Sequence, residues 1–310
     1  MKRYYPEGQL LRTQTNRAAQ SGVSSLKDAM AQQTVLEAVA EKCGREHDLT
    51  VGLGCMKGII PREEGAVGIG DGTVRDIALI SRVGKPVCFV VTDILKGEDG
   101  RPYALLSRKK AQERCMKEYL DTLLPGDVIP AKVTRMESFG VFCDIGAGIS
   151  ALLPIDAVSV SRIPHPSARF TTGQEIRAVV SAVDRDGRIT LSHKELLGTW
   201  QENAETFSVG ETVPGIVRTV ESYGIFVELT PNLAGLAEYD SGVKEGEYAA
   251  VYIKNIIPER MKIKLVLVDT FQPPEEPPKP DYFFRGTHMD RFRYSPQGSC
   301  RVIESVFDEG

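Results

Sequence analysis

Residues 133–146 read VTRMESFGVFCDIG, and residues 217–230 read VRTVESYGIFVELT. Aligned, Phe139 meets Tyr223, Gly140 meets Gly224 and Phe142 meets Phe226. After the glycine the first phrase alternates. Val141, Cys143 and Ile145 fall on one face of an extended chain, Phe142 and Asp144 on the other. A period of two predicts a half-buried β-strand. The glycine between two large aromatics predicts a bulge or a sharp bend.

The likeness spreads outward. ALLPIDA (151–157) matches GIIPREE (58–64), GQEIRAVV (173–180) matches GKPVCFVV (84–91), and TLSHK (190–194) matches LLSRK (105–109). Three copies of one module, each of about 60–75 residues, follow one another. In the middle copy the strands are DVIPAKVTRM, GVFCDIG, SALLP, EIRAVVSAVD and RITLS, punctuated by Gly and Pro. Short strands at this spacing predict barrels or sandwiches rather than βαβ units. Two stretches carry helical spacing. RKKAQERCMKEYLDTLLPG (108–126) ends at Pro125-Gly126, and SHKELLGTWQENAETF (192–207) predicts a second connecting helix. SSLKDAMAQQ near the start predicts a short helix capped at Ser24 or Ser25.

The expected organisation is an N-terminal extension over 1–33 and a degenerate first barrel over 34–110. A connecting helix over 111–125 leads to a second barrel over 126–197. A connecting segment over 198–208 precedes a third barrel over 209–270. A Pro-rich spacer and tail occupy 271–310. The tail, YFFRGTHMDRFRYSPQGSCRVIESVF, is too short for a core of its own and must pack on something else.

Composition narrows the function. Hydrophobic residues make up 42% of the chain and charged residues 26%, ordinary values for a folded soluble domain. No apolar run approaches the roughly 20 residues that span a bilayer, and the first residues lack a signal peptide's apolar centre. The six cysteines are scattered with no CxxC pair, against a disulfide framework or a structural zinc site. A cytoplasmic protein without membrane association is expected. The net charge of −4 counts mildly against nucleic acid, although a local positive stripe suffices for that role.

Over 126–196 the run GDVIPAKVTRMESFGVFCDIGAGISALLP…RFTTGQEIRAVVSAVDRDGRITLSHKEL resembles the RNA-binding domain of the ribosomal protein S-one family. The resemblance is good over 210–268 and weak over 34–110. It implies a mainly β chain of three tandem five-stranded antiparallel OB-type barrels joined by short helices, the first degenerate. It also implies a ligand face on the second and third strands of each barrel, and a role in translation. By the same resemblance Arg188 is the expected backbone contact, Asp184 an adjacent polar contact, and Lys262 the counterpart of Arg188 in the third copy. The histidine common in the family at the end of the third strand is Pro154 here, Glu238 in the third copy and Pro61 in the first.

The residues themselves suit such a ligand. Phe139 with Phe142, and Tyr223 with Phe226, offer flat rings on which unstacked bases can lie. Cations for phosphates stand in the same module at Lys132, Arg135, Arg162, Arg169, Arg185, Arg188 and Lys194, and at Lys254 and Lys264 in the third. His165 lies in the loop before the fourth strand as a further candidate contact. The first copy has His47 and Thr50 where the rings belong, and so reads as a supporting barrel. The leading expectation is an RNA-binding protein that holds single-stranded RNA or mRNA, with the ribosome as a further partner. The alternative is a ribosome-associated protein-interaction scaffold with little RNA affinity. GVGIGDG (66–72) has no following Gly-Lys-Ser/Thr, and the four histidines form neither HExxH nor a triad pattern. No enzymatic activity, catalytic residue, metal or cofactor is expected.

Overall fold

The fold follows from fifteen short strands whose inward residues are apolar and outward residues mostly polar. The computed structural model describes residues 4–272 and 279–307, so most of the expected spacer lies outside the described residues. The first barrel comprises β1 (Leu36–Cys43), β2 (Leu49–Gly52), β3 (Lys57–Ile60), β4 (Pro86–Lys96) and β5 (Pro102–Ser107). The middle barrel comprises β6 (Val128–Glu137), β7 (Gly140–Asp144), β8 (Ser150–Pro154), β9 (Glu175–Val183) and β10 (Ile189–Ser192). The third comprises β11 (Thr212–Glu221), β12 (Gly224–Thr230), β13 (Leu233–Ala237), β14 (Tyr248–Ile257) and β15 (Lys262–Phe271).

All three are closed, and in each the third strand lies beside the fifth. That contact adds one parallel seam to each of the expected antiparallel five-stranded barrels. β3 pairs β5, β8 pairs β10 and β13 pairs β15 in parallel, while every other pair with a recorded register is antiparallel. Odd-numbered closure of a chain that otherwise reverses at each neighbour forces one parallel seam, and the crossover before the fourth strand supplies it.

The chain divides into two compact units. One is Met1–Leu123 with Asp144–Ser150, and the other is Leu124–Cys143 with Ala151–Gly310. In the first unit, helices α1 (Gln14–Ala19) and α2 (Val23–Ala31) precede the barrel, and Leu26 of α2 is fully buried in the core with Leu36, Val51, Phe89 and Leu106. The cap of α2 is Gly22, not Ser24 or Ser25. Ser25 sits at the third helical position, and its hydroxyl accepts the Gly22 N–H at 3.1 Å. Between β3 and β4 lies the one-turn helix α3 (Ile77–Ile80), and after β5 comes α4 (Arg108–Glu118), capped by Ser107. α4 stops short of Pro125 because Tyr119 leaves helical geometry, and a 3₁₀ turn over Leu120–Thr122 follows.

The first unit also contains a buried ion pair. Arg108 donates from Nε and Nη2 to the two Glu7 carboxylate oxygens at 2.7 and 3.1 Å, and Arg82 adds a contact at 3.0 Å. Burial pushes the Glu7 carboxyl up, but Arg108 and Arg82 hold it below the usual carboxylate range. The Glu7 backbone N–H donates to Asp144, whose other oxygen accepts the N–H groups of Gly146 and Gly148.

In the second unit the middle and third barrels share one framework. Asn232, fully buried, accepts the Val160 N–H and donates to the carbonyls of Lys194 and Gly198 at 2.7 and 2.8 Å. The expected helix over 192–207 is broken here. A 3₁₀ turn (Lys194–Leu197) and helix α5 (Trp200–Ala204) flank Gly198, whose φ of +85° no other residue adopts cheaply. Thr199 and Glu202 form a capping box that restarts the helix. The tail packs on this unit, as its lack of a core requires. Met289 and Phe307 join Val128, Val179 and Leu196, and Tyr294 joins the core of the third barrel. A short hairpin, β16 (Arg291–Arg293) and β17 (Glu304–Val306), completes it.

Candidate nucleic-acid interface

The alternation read in the sequence sets the site. On β7, Val141 and Cys143 are fully buried while Phe142 stays half-buried on the outer face. Phe139, just before the strand, is 54% exposed. The two rings meet edge to face, centroids 6.0 Å apart at 88°. The third barrel repeats the pair: Tyr223 is 66% exposed and meets Phe226 at 6.2 Å and 85°. In each pair one exposed and one half-buried ring stand nearly perpendicular on a strand and the turn before it, flat surfaces of the kind on which bases stack.

Gly140 and Gly224 fit by close approach. A methyl on Gly140 would stand 2.5 Å from the Leu153 carbonyl oxygen, and one on Gly224 would stand 2.6 Å from that of Ala237. The third strand therefore passes directly over the glycine, just after the chain turns at 138–139. It lets the two aromatics flank a point where the backbones almost touch.

The cations divide. The Arg135 guanidinium sits 4.6 Å from the Phe142 centroid and contacts Glu137 at 3.2 Å, so ring and cation form one platform. Lys132 is half-buried on β6, opposite Glu175 across the β6–β9 pair. Arg162 and Arg188 are exposed. Asp184 holds the β9–β10 turn, accepting the backbone N–H groups of Asp186 and Arg188 at 2.9 and 2.8 Å. Arg188 thereby closes the base of the turn opposite Asp184, whose N–H donates to the Arg188 carbonyl at 3.0 Å. His165 is committed locally: Nδ1 accepts the Ser167 N–H at 3.2 Å and caps a 3₁₀ turn.

In the third barrel the register ranks the lysines. Across the outer face run Thr219, Phe226, Leu236 and Lys264, each the direct partner of the next. Lys264 thus stands in the row of Phe226, whereas Lys262 pairs with Ile257 nearer the turn. Lys254 is exposed on β14. Lys264 and Leu236 were the residues that motif matching undervalued; only strand register assigns them to the ring's row. The same row in the first barrel is Lys42, Thr50, Ile59 and Leu105. Thr50 occupies the position of Phe226, so the first barrel lacks the ring, and His47 turns toward Asp76 at 3.8 Å.

Beyond each ring lies an acid that the sequence reading left unused. Asp144 and Glu228 are the next outward residues after Phe142 and Phe226, and both are buried. Burial, with the Glu7 charge nearby, pushes the Asp144 carboxyl up to about 6. Glu228 is bound by Arg218 and by Arg169. Among the described residues no group of three His, Cys, Asp or Glu is placed to hold a metal ion, and no helix is long and apolar enough to cross a membrane.

Residues 123–194 match the S1 RNA binding domain. Among curated proteins, the small ribosomal subunit protein bS1 homolog of Bacillus subtilis is 32% identical over 191 residues, covering 57% of this chain and 48% of that protein. The small ribosomal subunit protein bS1 of Leuconostoc lactis is 32% identical over 223 residues, covering 66% and 52%. The chain spans about half the length of these relatives. A solved multidomain protein with nucleic acid binding domains from Streptococcus pneumoniae is 14% identical, over 76% of this chain and 74% of that one, with a TM-score of 0.25. The middle barrel therefore carries the domain that the motif at 126–194 implied, and the chain resembles the bS1 proteins.

Proposed function

We propose that this protein binds single-stranded RNA, including mRNA, on its middle and third barrels, and acts in translation in the cytoplasm. The observation that carries the reading is the doubled aromatic pair, Phe139 with Phe142 and Tyr223 with Phe226, at the same centroid spacing and angle on an S1-type barrel. Bases stack on Phe142 and Phe226 because these rings are outward yet braced from one side. Arg135, Arg162 and Arg188 on one barrel, and Lys254, Lys262 and Lys264 on the other, supply charge for the backbone. Lys132, His165 and Asp184 support the same surface. Unstacked bases are needed, so duplex RNA is a poor ligand.

The test is fluorescence anisotropy with a labelled oligouridylate 12-mer at low salt. Stacking is worth roughly 1–3 kcal/mol per base, so Phe142→Ala and Phe226→Ala should each weaken binding roughly 5- to 150-fold. Unchanged affinity in the double variant would sink the stacking reading.

One observation favours docking to protein by the first unit. Ile77 and Ile80 of α3 and the nearby Val83 are 64%, 42% and 41% exposed, an apolar patch on the barrel that lacks the rings. If the wild-type chain binds no RNA at low salt, the scaffold reading replaces the RNA reading.

A further inference from the structure

The outer face of β12 continues past Phe226. Successive outward residues on a strand stand about 7 Å apart, and the next one is Glu228. Its carboxylate is fully occupied. Arg218 donates to both oxygens, from Nε at 2.8 Å and Nη2 at 3.0 Å, and Arg169 of the middle barrel reaches across to the same group. Glu228 and Arg169 are 3% and 8% exposed. Two guanidinium groups share one carboxylate, so a unit of positive charge is left over, away from water.

Arg169 is also incompletely bonded. Its Nε–H is buried and has no partner among the described residues. A buried donor left empty costs about 1–3 kcal/mol, and more for a charged group. The location shows what could fill it. Arg169 and Glu228 line a groove of about 420 Å³ between the two barrels, together with Tyr248, Lys279 and Phe283. Among the described residues Asp281 is the only other acid on its lining, and it is exposed. A surplus cation on the lining of a groove, with a buried N–H beside it that lacks a partner among the described residues, is matched by an oxyanion, and guanidinium geometry favours phosphate.

We propose that the groove between the middle and third barrels is a phosphate site centred on Arg169. The anion neutralises the surplus charge of the Arg169–Glu228–Arg218 group, and a small shift of the Arg169 side chain brings its buried Nε–H to a phosphate oxygen. Lys279 and Tyr248 line the same groove. Since it lies one outward position from Phe226, a strand stacked on that ring carries a phosphodiester into the groove. The anion chemistry stands without the RNA reading, and only the strand as source of the phosphate rests on it.

The test uses the full chain with inorganic phosphate, titrated calorimetrically against chloride at equal ionic strength. A saturable phosphate response is expected in wild type. Arg169→Lys keeps the charge beside Glu228 but lacks the Nε donor, and should weaken that response at least tenfold. Arg169→Met should abolish it, with folding checked by far-UV circular dichroism in both variants. In parallel, the slope of log affinity against log salt for the 12-mer should become shallower by about 0.7 in Arg169→Met, one phosphate fewer. Phe226→Ala should lower affinity at unchanged slope. A phosphate response with no change of slope assigns the site to free phosphate esters. A phosphate response in a chain that binds no RNA leaves the site standing while the RNA reading fails. No phosphate response together with an unchanged slope overturns the proposal.

Discussion

At the scale of single residues, His193 shows how burial sets chemistry. Nδ1–H donates to the Val158 carbonyl at 3.0 Å, which leaves Nε2 bare to accept the Tyr282 hydroxyl at 3.1 Å. Phe170 and Tyr282 meet the imidazole edge to face. Burial pulls its pKa down from 6.5 to about 4, against the Val158 bond, which raises it, and with the nearby Arg169 charge adding to the fall. Between those values the unfolded chain binds the proton and the folded chain does not. Stability is therefore present above pH 6.5 and lost as pH falls through 4. At 1.36 kcal/mol per pKa unit, the loss between pH 7 and pH 4 is about 3 kcal/mol. Urea unfolding followed through Trp200, the chain's single tryptophan, should show it, and His193→Gln should reduce it. Equal acid sensitivity in the two proteins would refute the account.

At the scale of elements, the C-terminal tail is a structural part of the second unit. Tyr282 receives the Arg177 N–H and bonds His193, Met289 and Phe307 are buried against the middle barrel, and the Tyr294 hydroxyl donates to the Asn232 carbonyl at 2.6 Å. Each large side chain buried contributes about 1.5–3 kcal/mol, so these four together rival the whole stability of an ordinary domain. Removing residues 279–310 should lower the urea midpoint reported by Trp200 drastically or leave that unit unfolded. An unchanged midpoint would show that the tail is dispensable. The expectation that this stretch must pack elsewhere rested on its length and aromatics; the partners on both barrels were not legible, because a run of irregular backbone carries no period.

At the scale of the molecule, the two ring-bearing barrels are locked to each other by Asn232 and by the pairing of Ser161 N–H with the Pro231 carbonyl. Two weak sites at fixed spacing act as one. Once an oligouridylate is long enough to reach both rings, its affinity should exceed that of a strand reaching one by about 10²–10⁴-fold. Anisotropy across a length series would reveal the step, and a smooth rise without one would mean that the barrels bind separately. Asn232→Ala should soften the step more than it weakens short strands.

What the sequence determined by itself was local. Alternation is a property of neighbouring residues, so VTRMESFGVFCDIG and its echo revealed the strands, the inward and outward faces, the paired rings and the ringless first copy. The tertiary structure decided whatever depends on which distant segments touch. The parallel seam in each barrel comes from chain closure. Gly140 is needed because β8 passes over it. Lys264 joins the row of Phe226 through its partner Leu236. Glu228 was one acid among 42 in the sequence. Only the packing of one barrel on the next brings Arg169 to it and leaves a buried guanidinium N–H without a partner among the described residues.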